Sequence, residues 1–397
     1  MKSYKNTFLL LLLTFCFALF AMAQEDGKEN TKFGSKMNAG FSKFQDSQQK
    51  SFDNFREQQQ KAFEKFKESI SKKWGTQNFL SSSKTNWVEY SDDQESRSLV
   101  NFKEGTATVE IIVEPEEAED TEVIKQKMTQ AVEDLSKSKG KIEDLLDEDD
   151  PQNQLSEEAI LKDQFIDENG TKIDDSNSKE FAERVVEEKE IEKQQIKGED
   201  GKDRVLLSVS IPLAPDYLQK RAESILPIVT KYAREYQIEP ALILAVIHIE
   251  SYFNPKAISH ANAIGLMQLV PSSGGLDAYR YVYGEDKVPS HFYLFNPENN
   301  IHLGTAYLQK LMTVYFKNLN DYENKLYCSI ASYNTGVGNV CYAVTRTTKI
   351  SPLIAQLNTQ KPQYTYNYLH KNLEYEEARN YLQKVNEKYL MYQGWMK

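Results

Sequence analysis

The 397-residue sequence is poor in the residues that usually announce chemistry. Cysteine occurs three times and histidine five. His248, His260, His291, His302 and His370 form no H-x-x-x-H pair and no cluster with cysteine, which argues against a bound metal. No phosphate-cradling loop and no Ser-His-Asp pattern stands out, so no cofactor is expected. The net charge is −11, and there is no clustered basic face of the kind that nucleic acid requires. The one strongly apolar run, Phe8–Phe20, stops short of the roughly 20 residues that cross a bilayer comfortably.

That run has another reading. Lys2 and Lys5 precede it, and Ala21-Met22-Ala23 follows as a small-x-small site before Gln24. Residues 1–23 are therefore expected to be a cleaved export signal, with an uncleaved anchor as the alternative. The expected location is the periplasm or the medium, peripheral to the envelope membrane at most. Acylation at Cys16 is disfavoured because bulky Phe15 precedes it. Cys328 and Cys341 remain, flanking a glycine-containing turn. An oxidising compartment permits a disulfide between them, while two buried free thiols are the favoured reading.

Charge divides the chain. From Asp216 onward there are 18 Lys and Arg against 15 Asp and Glu, a net of +3, which leaves −14 for everything before it. Such a switch suggests two modules. Residues 24–75 form a segment of their own, with three eleven-residue units, FSKFQDSQQKS, FDNFREQQQKA and FEKFKESISKK, over residues 41–73. Phenylalanine recurs at Phe41/Phe44, Phe52/Phe55 and Phe63/Phe66. Eleven residues fill three helical turns, so the rings form one stripe on an amphipathic helix. The stripe has three possible partners: the next domain, a protein helix, or a membrane surface.

Residues 76–215 read as an α+β module. Ala107, Val109, Ile111 and Val113 alternate with Thr108, Glu110 and Ile112, and Val205, Leu207, Val209 and Ile211 alternate up to Pro212. Ser98–Phe102 precedes a turn at Gly105. Glu116–Leu146 and Lys179–Lys197 are predicted to be charged helices, and Asp147–Gln154 and Asn169-Gly170 loops or turns. Residues 216–397 read as an all-α domain of lysozyme-like size. Helices are predicted over Tyr217–Tyr236 (bent at Pro227), Ala241–Ser251 with Pro240 in the first turn, Pro297–Phe316, Tyr322–Tyr333 and Glu374–Met391.

The segment ALILAVIHIES, Ala241 to Ser251, is apolar almost all the way round and must be buried. Glu250 shares a face with Ile243, Val246 and Ile247. Burial raises a carboxyl pKa and keeps a proton available near neutral pH, as a general acid for glycosidic cleavage needs. Downstream the chain reads ESYFNPKAISHANAIGLMQLV from Glu250, NPENNIHLGTAYL from Asn296, and ASYNTGVGNV from Ala331. These motifs, in this order, resemble the soluble-lytic-transglycosylase (SLT) catalytic domain of goose-type lysozyme-like fold. The segments around Trp87–Val113 and Val209–Tyr236, and the ending EARNYLQKVN from Glu377, resemble the membrane-bound murein transglycosylase C type, which carries its own N-terminal domain. The resemblance covers residues 76–395 or so.

It implies an enzyme that cleaves the glycan strands of peptidoglycan at the β-1,4 bond between N-acetylmuramic acid and N-acetylglucosamine, leaving a 1,6-anhydro end. It implies Glu250 as the acid/base. It further implies that Ser259, Met267, Gln268, Tyr333, Asn334 and Tyr381 surround the substrate: Ser259 orients it, Met267 and Gln268 line sugar subsites, Tyr333 and Asn334 flank the cleaved bond, and the Tyr381 hydroxyl approaches the carboxylate. Gly265, Gly304 and Gly336 would serve tight backbone geometry, and Asn300 and Ile301 the scaffold. Two departures stand out: no credible acylation cysteine, and Ser332 where the family has alanine.

Other candidates read as background. His248, two residues before Glu250, points elsewhere on the helix and is expected to be a core residue. Asp277, Glu285 and Asp286 are the alternative second carboxylates, in a stretch that reads as a loop. Tyr279, Tyr281, Tyr283, Phe292, Tyr293 and Phe295 either line a sugar groove or pack a long connection. Two other functions stay open: a goose-type lysozyme-like hydrolase, and a non-catalytic wall-binding or scaffold protein.

Overall fold

A computed structural model describes residues 57, 60–141 and 155–397. The export signal, the first phenylalanine unit, Phe52 and Phe55 of the second, and Asp147–Gln154 lie outside the described residues.

Alternating residues build one antiparallel sheet of β1 (Asn86–Tyr90), β2 (Ser96–Asn101), β3 (Thr106–Val113), β4 (Glu192–Lys197) and β5 (Asp203–Pro212), in the order β1-β2-β3-β5-β4. β3 and β5 pair along their full length, with Val109 opposite Val209. Ala107, Val109, Ile111 and Val113 point into one core. Two helices close that core: α2 (Thr121–Lys137), capped by the Asp120 carboxylate, and α3 (Ser178–Glu188). Ile112 and Leu206 point the other way and meet α1, a helix running through residues 61–74. There Phe66 packs edge-on against Phe79 and Tyr90, and Phe63 against Phe79. Of the partners left open for the stripe, the unit that the structure describes has taken the next domain.

Two expectations need correction. The helix expected over Lys179–Lys197 stops at Glu188, and Glu192–Lys197 is the edge strand β4. Its residues are exposed except Ile196, so no hydrophobic alternation marks it, and charge on an edge is tolerated. The helix expected from Glu116 begins only at Thr121 and ends at Lys137. β1 was not anticipated, although Trp87 and Tyr90 are both buried.

The rest is helical. α4 (Tyr217–Tyr236) runs through Pro227, and α5 (Pro240–Ser251) has Pro240 in its first turn, where a missing N–H is harmless. Every residue from Ala241 to Ser251 is buried, and α5 ends where Tyr252 turns left-handed. Then come α6 (Leu276–Tyr283), α7 (His291–Phe295), α8 (Pro297–Lys310), α9 (Tyr322–Thr335), α10 (Val337–Thr345), α11 (Ile350–Leu357), α12 (Pro362–Asn372) and α13 (Glu376–Trp395). α13 packs on α5 and on α9, so the central helix is sheathed. The stretch with Asp277 is therefore helix, not loop. Cys328 and Cys341 are buried free thiols on neighbouring helices. His248 is a core residue: its Nδ1 meets the Tyr392 hydroxyl at 2.8 Å, and burial pushes its pKa down to about 3. No helix among the described residues is long and apolar enough to cross a membrane.

Candidate active site

α5 delivers Glu250 at its last turn, where the side chain leaves the core and faces a cleft of about 700 Å³. Glu250 itself is only 6% exposed.

The floor of the cleft is the turn 264–269, closed by paired hydrogen bonds between Ile264 and Leu269. Gly265 adopts φ +74°, and a Cβ there would lie 2.5 Å from the Leu294 carbonyl oxygen and from Asn300 Nδ2, so only glycine fits. Fully buried Asn300 on α8 staples this turn: its Oδ1 accepts from the Met267 N–H at 2.7 Å, and its Nδ2 donates to the Ile264 carbonyl at 2.9 Å and the Leu294 carbonyl at 2.7 Å. Gln268 is held by Nε2 bonds to the carbonyls of Ala257 and Gly265, while its Oε1 makes no hydrogen bond within the protein. The Ser259 hydroxyl accepts from the Ala263 N–H at 3.0 Å. From α9, the Tyr333 hydroxyl donates to the Met267 carbonyl at 2.9 Å, tying that helix to the floor.

Burial and three neighbouring groups act on the Glu250 carboxyl. Burial pushes its pKa above the ordinary carboxylate range. The Lys84 ammonium, 3.4 Å from Oε2, works against this, as does the Tyr381 hydroxyl, while Glu377 adds to the rise. The Tyr381 hydroxyl is buried behind the carboxylate without reaching full hydrogen-bond geometry to it. Burial, and then the proximity of Glu250, holds both Tyr333 and Tyr381 well above the usual phenol value, so neither serves as a base near neutral pH.

Glu250, Ser259, Gln268, Tyr333 and Asn334 thus line one cleft. Met267 does not: it is fully buried with its sulfur packed beneath Gly304, and it takes part only through its backbone N–H and carbonyl. Gly304 is needed there because a Cβ would lie 2.3 Å from that sulfur. Tyr381 stands behind Glu250 rather than in the cleft lining. The aromatic residues Tyr279 to Phe295 are outside the lining and pack the connection between helices.

Lys84, Tyr375 and Glu377 line the cleft and escaped the sequence reading. Ser332, noted there only as a departure from the motif, lines it too, as does Asp277, weighed there as a second carboxylate, which carries an ion pair to Lys310 at 2.6 Å. The Ser332 hydroxyl is buried without a hydrogen bond in the protein. Glu377 and Tyr375 adjoin the segment that carries Tyr381, which was the available signal. Lys84 lies 166 residues from Glu250 and had none.

Two family models match the chain: the transglycosylase SLT domain over residues 227–352, and the membrane-bound lytic murein transglycosylase C N-terminal domain over residues 46–224. A membrane-bound lytic murein transglycosylase C of Klebsiella pneumoniae is 34% identical over 329 residues, 80% of this chain and 84% of that one. Its counterpart in Photorhabdus laumondii is 34% identical over 321 residues, 80% and 85% of the two chains. Among solved structures, lytic transglycosylase Slt of Pseudomonas aeruginosa aligns with TM-score 0.33 at 24% identity, over 43% of this chain and 24% of that one.

Proposed function

Because the chain belongs to the membrane-bound lytic murein transglycosylase C family, we propose that it cleaves the β-1,4 bond between N-acetylmuramic acid and N-acetylglucosamine in peptidoglycan and forms a 1,6-anhydro-N-acetylmuramic acid end. The observation that carries the assignment is one buried carboxyl group, Glu250, at the wall of a cleft of about 700 Å³.

The chemistry needs one proton carrier. Glu250, its pKa raised by burial, gives its proton to the bridging oxygen as the glycosidic bond breaks. The C6 hydroxyl of the same muramic unit then closes onto its anomeric carbon, and the ionised Glu250 takes the hydroxyl proton. The acid is regenerated and no water is consumed. Asn334 positions the N-acetyl group that stabilises the positive anomeric carbon. Gln268 and Asn334 line the wall where the sugar would lie, and Tyr333 stiffens that wall from α9. Ser259 orients the substrate from the rim. The enzyme works at the cell envelope, outside the cytoplasm. On this reading residues 1–23 are an export signal and 216–397 the catalytic domain, with the N-terminal domain over 76–215 packed against helix 61–74.

One observation favours a second reading. Asp277 and Glu377 line the same cleft, so a carboxylate stands available to activate water, as an inverting hydrolase requires. Substitution separates the two. Glu250→Gln abolishes turnover of purified sacculi on either reading, and activity in that variant overturns both. Glu377→Gln keeps turnover on the lyase reading, and its loss favours a hydrolase.

A further inference from the structure

Lys84 lies outside the helical domain, in the segment leading from α1 to β1, yet its Nζ is 3.4 Å from Glu250 Oε2 and it lines the cleft. This meeting is built. Asn254, fully buried four residues after Glu250, donates from Nδ2 to the carbonyls of Ser83 and Asn86 at 3.0 and 3.2 Å. Those two carbonyls bracket Lys84. The Ser83 N–H bonds the Asn86 carbonyl, and the Phe102 N–H bonds the Thr85 carbonyl, so the bracket is anchored to the sheet. Two residues beyond Asn254, buried Lys256 donates to the Val88 carbonyl. The stretch of chain that ends the Glu250 helix is thereby fastened to the backbone that presents Lys84.

We propose that Lys84 is a positioning residue for Glu250: by an ion pair across the module boundary it orients the catalytic carboxyl, and the N-terminal module thereby completes the active centre. This rests on the reading of Glu250 as the acid.

The groups facing that carboxyl are Lys84 from the N-terminal module, Glu377 and Tyr381 from α13, and Tyr333 from α9. Of these, Lys84 is the cation. It opposes the upward push of burial on Glu250 and narrows the pH range in which the acid is protonated. A cation this close lowers a carboxyl pKa, and because Lys84 is 38% exposed solvent weakens that pull without removing it.

The test uses the full chain, with turnover of purified sacculi measured against pH. Lys84→Met keeps the stem, removes the charge and leaves the Asn254 bonds to the backbone untouched. The alkaline limb of its kcat/KM profile should move to higher pH. Lys84→Arg should keep the limb of the unaltered enzyme. A carbon-13 NMR titration of Glu250 in the unaltered chain and in Lys84→Met reads the same displacement without turnover, so a variant too slow to assay still decides. An unmoved limb or titration in Lys84→Met overturns the proposal, as does a Lys84→Arg profile that shifts like that of Lys84→Met. A Glu250→Gln enzyme that still turns over refutes the reading of Glu250 instead, whatever Lys84 does.

Discussion

Asn300→Ala removes the staple under the cleft, and its effect can be worked from the contacts. The Asn300 side chain serves three backbone groups. The Ile264 carbonyl keeps a second donor, the Leu269 N–H at 3.1 Å, so it loses little. The Met267 N–H loses its side-chain acceptor in a site from which water is excluded, and a buried orphan donor costs about 1–3 kcal/mol. The Leu294 carbonyl loses a 2.7 Å bond, worth about 1 kcal/mol. A small cavity adds to these. The sum is about 3 kcal/mol, which for a helical domain of this size lowers the melting temperature by about 6–12 °C. The damage also reaches the site, because the Met267 carbonyl is what the Tyr333 hydroxyl holds. Thermal unfolding followed by circular dichroism, paired with turnover of sacculi below the transition, is the assay. A melting temperature within about 2 °C of the unaltered protein, with full turnover, refutes the reasoning.

Two further predictions concern the buried acid and the aromatic helix. Glu250 has its folded pKa raised by burial, so its stabilising contribution is fully present below the unfolded carboxyl value of about 4.3 and is lost as pH rises through the higher folded value. Glu250→Gln escapes that loss: its melting temperature relative to the unaltered chain should climb between pH 4 and pH 8, and calorimetry showing a flat or falling difference contradicts the assignment of a raised pKa. Trp74 is fully buried against Tyr90, with Arg97 over its ring at 4.4 Å and its Nε1–H on the Gln94 carbonyl at 2.8 Å. Trp74→Ala should destabilise by about 3–5 kcal/mol in denaturant titration, and a loss below about 1 kcal/mol means that the helix 61–74 is not part of the sheet's core.

What could be read in advance followed from local pattern. β3 and β5 alternate cleanly because one face of each packs along its length on the larger core while the other meets α1 only near Ile112 and Leu206, and α5 announced itself as a helix apolar on all sides. Glu250, Ser259, Gln268, Tyr333 and Asn334 lie in or beside ordered motifs, so resemblance brought them together. β4 was illegible because an edge strand of Glu, Lys and Gln buries only Ile196. Met267 was misjudged because adjacency to Gln268 says nothing of side-chain direction: at this turn one points to the cleft and the other into the core. Asp277 was discounted because its stretch looked irregular, and it proved helical. Lys84 was out of reach for a different reason. Its role depends on how the sheet module docks on the end of α5, through Asn254 and Lys256, and no local periodicity encodes such a meeting.

The central claim is that the attacking oxygen comes from the substrate. Digestion of purified murein in heavy-oxygen water, followed by mass spectrometry of the muropeptides, tests it directly. The account predicts unlabelled muropeptides ending in 1,6-anhydro-N-acetylmuramic acid, each lighter by one water than a hydrolysed product. Reducing ends that carry the heavy oxygen would contradict it and assign Asp277 or Glu377 the part of a base.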